Sequence, residues 1–358
     1  MEKQNYNVIG VMSGTSLDGV DLAHIFFSVT NNKWTYKIKE CETVPYSDIW
    51  VEKLKNGINL PKNDLEKLDT EYTAELSNII TFFINRYELK NIDAVCTHGH
   101  TILHQPQNGL TLQIGNLPII SKLVNQKVIC NFRVQDVQLG GQGAPLVPIG
   151  DQILFSDYDY CLNLGGFSNV SFEENGNRIA FDISPVNTVL NFYAEKKGLK
   201  YDENGKTAAS GSIDQKLLSH LNSLAFYKQN YPKSLGFEFV KTTIIPLIEN
   251  YKISTEDKLR TFTEHIAVQI ANALPVKQGQ MLITGGGAYN SFLIEKIKEY
   301  TEPLKIIVPD IKTIEFKEAL IFGLLGVLKL RNEVNTLSSV TGAKHDHSSG
   351  IIFEVCEK

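Results

Sequence analysis

The sequence predicts an α/β protein of two lobes that carry a duplicated domain, and three observations predict it. Length is the first: at roughly 100 to 200 residues per domain, a chain of 358 residues holds two domains, each with its own core. The second is the alternation of strand-like and helix-like segments, the signature of α/β architecture. The third is a repeated design, in which a strand, a glycine-bearing turn and another strand occur near the N-terminus and again about half the chain later.

Residues 8–11 and 20–27 read as strands joined by the turn Ser13-Gly14-Thr15-Ser16-Leu17-Asp18-Gly19, a hairpin. A polar helical stretch follows at 64–89, then strands at 93–97 and 127–131. Glycine and proline cluster at 140–145, which marks a loop with the character of a hinge. The second hairpin spans 160–164 and 170–172 around Gly165, Gly166 and Asn169. Residues 178–182 read as a strand, and Ser184 with Pro185 offers an N-cap and a first-turn proline, so Asp182 is expected where strand hands over to helix. Thr261 and Glu264 have capping-box spacing ahead of an apolar face of Ile266, Ile270, Ala273 and Leu274. A strand at 281–283 runs into Gly285-Gly286-Gly287, and helical periodicity resumes over 292–300. Residues 317–331 are apolar nearly all round, with Gly323 and Gly326 permitting close approach, which predicts a buried helix. The lobes are expected at 1–132, joined by the tail 335–358, and at 133–334.

Composition excludes several classes. Hydrophobic residues at 42% and charged residues at 21% are globular values. A net charge of −5 argues against nonspecific nucleic-acid binding, which needs Lys and Arg to neutralise phosphates. The N-terminus has no basic segment leading into an apolar signal, and no apolar run reaches the ~18 residues of a spanning helix, so no membrane partner and a cytoplasmic location are expected. Cys41, Cys96, Cys130, Cys161 and Cys356 are scattered and odd in number, with no C-x-x-C pair, which points to neither a disulfide framework nor zinc. Cys96, Cys130 and Cys161 are expected as buried thiols.

A glycine-tipped hairpin brings backbone N–H groups within reach of phosphate oxygens, because glycine has no side chain to block approach. One such hairpin is more often an ordinary turn. Two of them plus a strand-GGG-helix element favour a nucleotide held through Gly14, Thr15, Ser16, Leu17, Asp18, Gly19, Val20 and Asp21. The Gly165, Gly166 and Asn169 turn and the Gly285, Gly286, Gly287 and Asn290 loop would complete its site. Gly205-Lys206-Thr207 is not a P-loop, since Lys200 stands where the first glycine belongs. Asn290 likewise spoils a G-x-G-x-x-G reading.

Asp182 is the carboxylate expected to act as general base, held ionised by backbone donors at the next helix N-terminus; the bland alternative is a helix cap. Asp18 and Asp21 are candidate Mg²⁺ contacts, direct or through water, against a turn-forming role. For His98, His100 and His104, packing or substrate hydrogen bonding is favoured over zinc. His345 and His347 are expected in solvent. Arg133 either stabilises a transferring phosphoryl group or pairs with Asp136. A hydrolase using Ser16 or Ser168 with His98 lacks a G-x-S-x-G elbow.

Taken together, GVMSGTSLDGVDLA from Gly10, THGHTILHQP from Thr97, GQGAPLVPIGD from Gly141, NLGGFSNVS from Asn163, AFDISPVN from Ala180, DENGKTAASG from Asp202, PKSLGFEF from Pro232, ITGGGAYN from Ile283 and VTGA from Val340 resemble the anhydro-N-acetylmuramic acid kinase family, in family order over almost the whole chain. The resemblance implies an actin-like, ribonuclease H-like sugar-kinase fold with ATP and Mg²⁺ in a cleft between lobes. It implies an amino-sugar substrate whose 1,6-anhydro ring is cleaved with phosphorylation of O6, a step in cell-wall sugar recycling. It implies Asp182 as the base, Arg133 facing the transferred group, and Thr97, His98 and Glu318 on the sugar side; whether the chain pairs as a homodimer is left open. The chain departs from the family pattern D-T-G-P-G-N with Ile183, Ser184 and Val186, and has His100 and Gln105 where the family has Gln and Arg. Val186 is expected to narrow the pocket. These departures leave room for a kinase of another sugar, or for a binding module without catalysis.

Overall fold

The computed structural model describes residues 3–14 and 16–355. It divides into two compact units, Met1–Leu154 with Phe316–Lys358, and Phe155–Glu315. Residues 133–154 and 316–334, expected in the second lobe, therefore pack with the first. Gly10 shows why: a Cβ there would lie 1.9 Å from the Ala319 carbonyl oxygen, so the helix Ile311–Leu330 rests directly on the first strand. That helix loses regular backbone at Phe316, with φ −109° and ψ 15°, the residue at which the division falls.

The strands are β1 Asn5–Ser13, β2 Val20–Thr30, β3 Lys33–Val44, β4 Ala94–Gln105, β5 Leu110–Ile114, β6 Val128–Cys130, β7 Tyr160–Leu164, β8 Phe167–Glu174, β9 Asn177–Pro185, β10 Gln280–Thr284, β11 Lys305–Ile307 and β12 Ile351–Phe353. In the first unit the sheet order is β12-β6-β4-β1-β2-β3, with β5 beside β4. In the second it is β11-β10-β7-β8-β9. Both sheets contain an antiparallel three-strand meander, β1-β2-β3 or β7-β8-β9, flanked by two strands running parallel to its first member. Each meander opens with one of the glycine-tipped hairpins.

Period-two alternation explains the layers. Ile9, Val11, Leu22 and Val95 turn to one face and pack on Leu68, Tyr72, Leu76 and Phe83 of the helix Lys62–Arg86. Val8, Ile25 and Phe27 turn to the other, against Gly323, while Cys96 and Ile129 close on Gly326. The glycines make room: a Cβ on Gly326 would sit 2.1 Å from Cys96 Sγ. In the second unit Leu162, Val170, Phe181 and Ile283 meet Leu259, Phe262, Ile266 and Ile270 of the helix Thr255–Ala273. Cys130 and Cys161 are buried with Cys96, and Cys356 lies outside the described residues. No helix of the described residues is long and apolar enough to cross a membrane.

Several local expectations are corrected. The helix Thr255–Ala273 is capped by Ser254, whose side chain accepts from the Asp257 N–H; Thr261 and Glu264 are buried inside it. Thr261 instead accepts the Asp214 N–H across 2.9 Å. Ser184 is no N-cap, because β9 runs through it and the next helix starts at Asn187. Its hydroxyl is buried against Ser168 Oγ at 3.0 Å. His347 is 5% exposed rather than solvated, and stands 3.6 Å from Asp136; His345 is exposed.

Candidate active site

In the first unit the turn after β1 closes with the Leu17 N–H donating to the Gly14 carbonyl at 3.4 Å, which puts Leu17 in the left-handed region at φ +60°. Thr15 lies outside the described residues. Gly19 passes so near the end of β3 that a Cβ would meet the Val44 oxygen at 2.4 Å. Asp18 is exposed at the tip and accepts the Ser16 hydroxyl at 2.6 Å. Val20 is buried, and Asp21 is tied into the sheet by the Thr43 hydroxyl at 2.6 Å.

Gly99 decides where the histidines of β4 go. Side chains two apart on a strand share a face, yet at φ +73° Gly99 turns the backbone between His98 and His100. His98 faces the helix Ile311–Leu330, its ring 4.8 Å from that of Phe322, while His100 faces Tyr72 at 6.0 Å. His98 Nδ1 donates to the Gly99 carbonyl at 2.9 Å and Nε2 accepts from Arg133 Nε at 2.8 Å, so the ring is the neutral tautomer. Burial, reinforced by Arg133, pushes its pKa well below the usual histidine range. Both ring nitrogens are thus engaged within the protein, Nε2 by the Arg133 side chain. Thr97 is buried, and its Oγ1 accepts the Gly99 N–H at 3.0 Å, which stabilises that turn.

Arg133 Nη1 donates to the Gly143 carbonyl at 2.7 Å. Asp136 does not pair with Arg133 directly; its carboxylate takes the Gly143 N–H at 2.6 Å and the Thr341 hydroxyl at 2.7 Å. Burial lowers the Arg133 pKa to about 10, against the opposing pull of Glu318 and Asp136. Glu318 is open to solvent, yet the protein crowded round its carboxyl raises it by desolvation; Arg133 and Lys317 oppose the rise and Asp18 adds to it. Arg133 and Asp18 therefore each lie within electrostatic reach of Glu318. The loop at 140–145, expected as a hinge, is tied down by Asp136 and by the Gln142 N–H on the Thr341 carbonyl.

In the second unit Asp182 stands opposite Asn169 in the β8–β9 register, and one residue later the pairing jumps to Ser168 with Ser184. Ile183 is the extra residue of this bulge, a device that re-aims neighbouring side chains. The donor to Asp182 is the Leu235 N–H at 2.8 Å, from a loop, and not the next helix N-terminus. Nor is the carboxyl held low: burial raises its pKa, and the Leu235 bond only partly offsets this. Gly165 and Gly166 form the β7–β8 turn, where the Gly166 carbonyl accepts the Val186 N–H at 2.8 Å. Gly285, at φ +82°, lies where a Cβ would be 2.5 Å from Asn163 Oδ1, and Gly287 packs on Leu164. A Cβ on Gly286 would be 3.7 Å from Asn187 Nδ2. The two glycine elements thus converge at the end of β7. Asn290 Oδ1 caps the helix Ser291–Thr301 by accepting the Leu293 N–H at 3.0 Å. The Gly205-Lys206-Thr207 stretch is closed off by Asp202, which accepts the Thr207 and Ala208 N–H groups.

A family model described as Anhydro-N-acetylmuramic acid kinase matches residues 6–355. The chain belongs to this family. A relative of that name in Francisella tularensis subsp. novicida is 33% identical over 365 residues, covering 94% of this chain and 95% of its own. Another, in Haemophilus influenzae, is 33% identical over 384 residues, covering 99% and 98%. A third, in Bacillus cereus strain Q1, is 32% identical and covers 94% and 96%. Membership of the anhydro-N-acetylmuramic acid kinase family makes the chain a phosphotransferase.

Two departures from the pattern of the anhydro-N-acetylmuramic acid kinase family find their place in this geometry. Val186 does not narrow a pocket: it is fully buried in the core of the second unit with Val189 and Leu190. His100 is buried too, and its Nδ1 meets Ser13 Oγ at 2.8 Å. Ser13 Oγ also bonds Tyr46 OH at 2.7 Å, and Tyr46 OH bonds Tyr72 OH. Sequence reasoning missed this chain, together with Asn163, Asn187 and Leu235. Only Gly99 between two histidines signalled it.

Proposed function

We propose that the protein uses ATP to open the 1,6-anhydro ring of 1,6-anhydro-N-acetylmuramic acid and to phosphorylate O6, yielding N-acetylmuramic acid 6-phosphate and ADP. The observation that carries this reading is the match to the kinase family over residues 6–355, joined to a half-buried Asp182 whose carboxyl is raised towards the working range of a base. Asp182 takes a proton from a water that adds to C1. The C1–O6 bond breaks, and O6 accepts the γ-phosphoryl group of ATP. Leu235 fixes one carboxylate oxygen, which leaves the other for the water.

On the phosphate side, the turn at Gly14 to Asp21 and the elements at Gly165, Gly166, Asn169 and Gly285 to Asn290 supply backbone donors. Arg133 offers a fixed guanidinium to the charge that develops on the transferred group, and Glu318 an acceptor for the sugar. We read the two units as copies of one ribonuclease H-like domain of the actin-like, sugar-kinase type, supported by their common five-strand order. Mg²⁺ bound mainly by phosphates needs only one or two carboxylates and keeps several waters. Asp18, exposed, would help to hold such an ion, and Asp21, tied to Thr43, would do so less directly. No group of three or more His, Cys, Asp or Glu among the described residues makes a dedicated metal cage. When bound, Mg²⁺ would neutralise charge on the phosphates.

The test is incubation with Mg-ATP and the anhydrosugar in ¹⁸O-labelled water, followed by mass spectrometry. The expected product is the 6-phosphate with one label at C1. No phosphorylated product, or a clear preference for another sugar in a substrate panel, would overturn the reading.

A further inference from the structure

We propose that Thr341 and Asp136 are positioning residues for Arg133, so that the C-terminal segment of the chain sets the aim of the guanidinium. The inference rests on the reading of Arg133 as the group that faces the transferred phosphoryl.

A guanidinium is planar, and bonds from two of its nitrogens fix its orientation. Arg133 has them, from Nε to His98 Nε2 at 2.8 Å and from Nη1 to the Gly143 carbonyl at 2.7 Å. His98 is secured by its own strand through the Gly99 carbonyl. Gly143 belongs to a glycine-bearing loop with Gly140 at φ +85° and Gly143 itself at φ +69°. Glycines resist bending less than any other residue, so that carbonyl must be held from elsewhere.

Asp136 holds it. One oxygen accepts the Gly143 N–H at 2.6 Å and the other the Thr341 hydroxyl at 2.7 Å. Asp136 is 0% exposed and Thr341 1%, and a carboxylate persists at such burial only where its lone pairs are bonded. The segment around Thr341 is in turn seated on the Arg133 segment at three further points. The Gln142 N–H donates to the Thr341 carbonyl at 2.8 Å, the Lys344 N–H to the Leu139 carbonyl at 3.1 Å, and Ser349 Oγ to the Phe132 carbonyl at 2.5 Å. Thr341 thus acts on Arg133 through Asp136 and Gly143, from 205 positions beyond Asp136 in sequence. It touches no reacting atom.

Steady-state kinetics of Thr341→Val, Thr341→Ser, Arg133→Gln and the Arg133→Gln, Thr341→Val double variant test this. Thr341→Val, which keeps the shape and loses the hydroxyl, is expected to lower kcat roughly 10- to 100-fold, the scale of a misplaced catalytic group, with KM for both substrates unchanged. Thr341→Ser is expected to restore kcat. In the Arg133→Gln background Thr341→Val should have no further effect, because residues acting as a unit are not additive. Wild-type kcat in Thr341→Val, or an equal loss in both backgrounds, overturns the proposal. If Thr341→Val does not fold, Asp136→Asn takes its place in the cycle, with the same expected loss. Wild-type kcat in Arg133→Gln would remove the role of Arg133 and this inference with it. An unaltered protein that forms no 6-phosphate would instead fail the reaction itself.

Discussion

Burial at Asp182 acts on function and stability in opposite directions. A carboxyl raised by desolvation is a stronger base, and its basic form is lost as pH falls through that raised value. The acid limb of kcat/KM is therefore expected above the ordinary aspartate pKa of about 4, and a limb at or below that value would exclude Asp182 as the base. The unfolded chain ionises first, so between the ordinary and the raised pKa native stability falls as pH rises. Asp182→Asn keeps an acceptor for the Leu235 N–H and removes the buried charge. It is expected to abolish turnover, to retain sugar and nucleotide binding by calorimetry, and to unfold at a higher temperature near neutral pH. The sequence singled out Asp182 as a candidate base. Its environment was not legible there, because the Leu235 donor lies 53 positions away and nothing local announces it.

At the scale of elements, the sequence marked Gly323 and Gly326 as points of close approach, and a Cβ at either would meet a neighbour within 3.0 Å, but other such glycines went unmarked. Gly10 is the sharpest case: Gly10→Ala would drive Cβ into backbone rather than a yielding side chain, and overpacking of this kind costs about 1–3 kcal/mol or more. Denaturant unfolding of that variant should show the loss. Val186→Ala belongs here too. Because Val186 is 0% exposed in the second core, truncation should cost about 2 kcal/mol and leave sugar preference unaltered; a changed preference in the substrate panel would put Val186 back at the pocket. Cap signals served less well, as with Thr261 and Ser184. A hydroxyl that caps a helix is equally content inside one, or across a β-ladder, if another donor or acceptor arrives there.

For the whole molecule, the two units differ in continuity. Phe155–Glu315 is one stretch with its own core, whereas the first unit needs Phe316–Lys358 to complete it. Ala319, Leu320, Ile321, Leu324 and Leu325 are all 0% exposed, and without them one face of the β1 sheet would lie bare. A fragment of residues 155–315 is expected to unfold cooperatively when followed by circular dichroism. One of residues 1–154 should do so only when co-expressed with 316–358. Cooperative folding of 1–154 alone would contradict this account of the first core.

The sequence by itself determined the hairpins, the alternating strands, the buried glycine-bearing helix and the family, because alternation and turn chemistry are local and motif order survives in one dimension. Only the tertiary structure decided the unit boundaries, the opposite faces taken by His98 and His100, the burial of Val186, and the route from Thr341 through Asp136 to Arg133. Those depend on which polar atom finds which partner after the chain has closed on itself. A buried polar group accepts whatever partner the fold delivers, near or far in sequence.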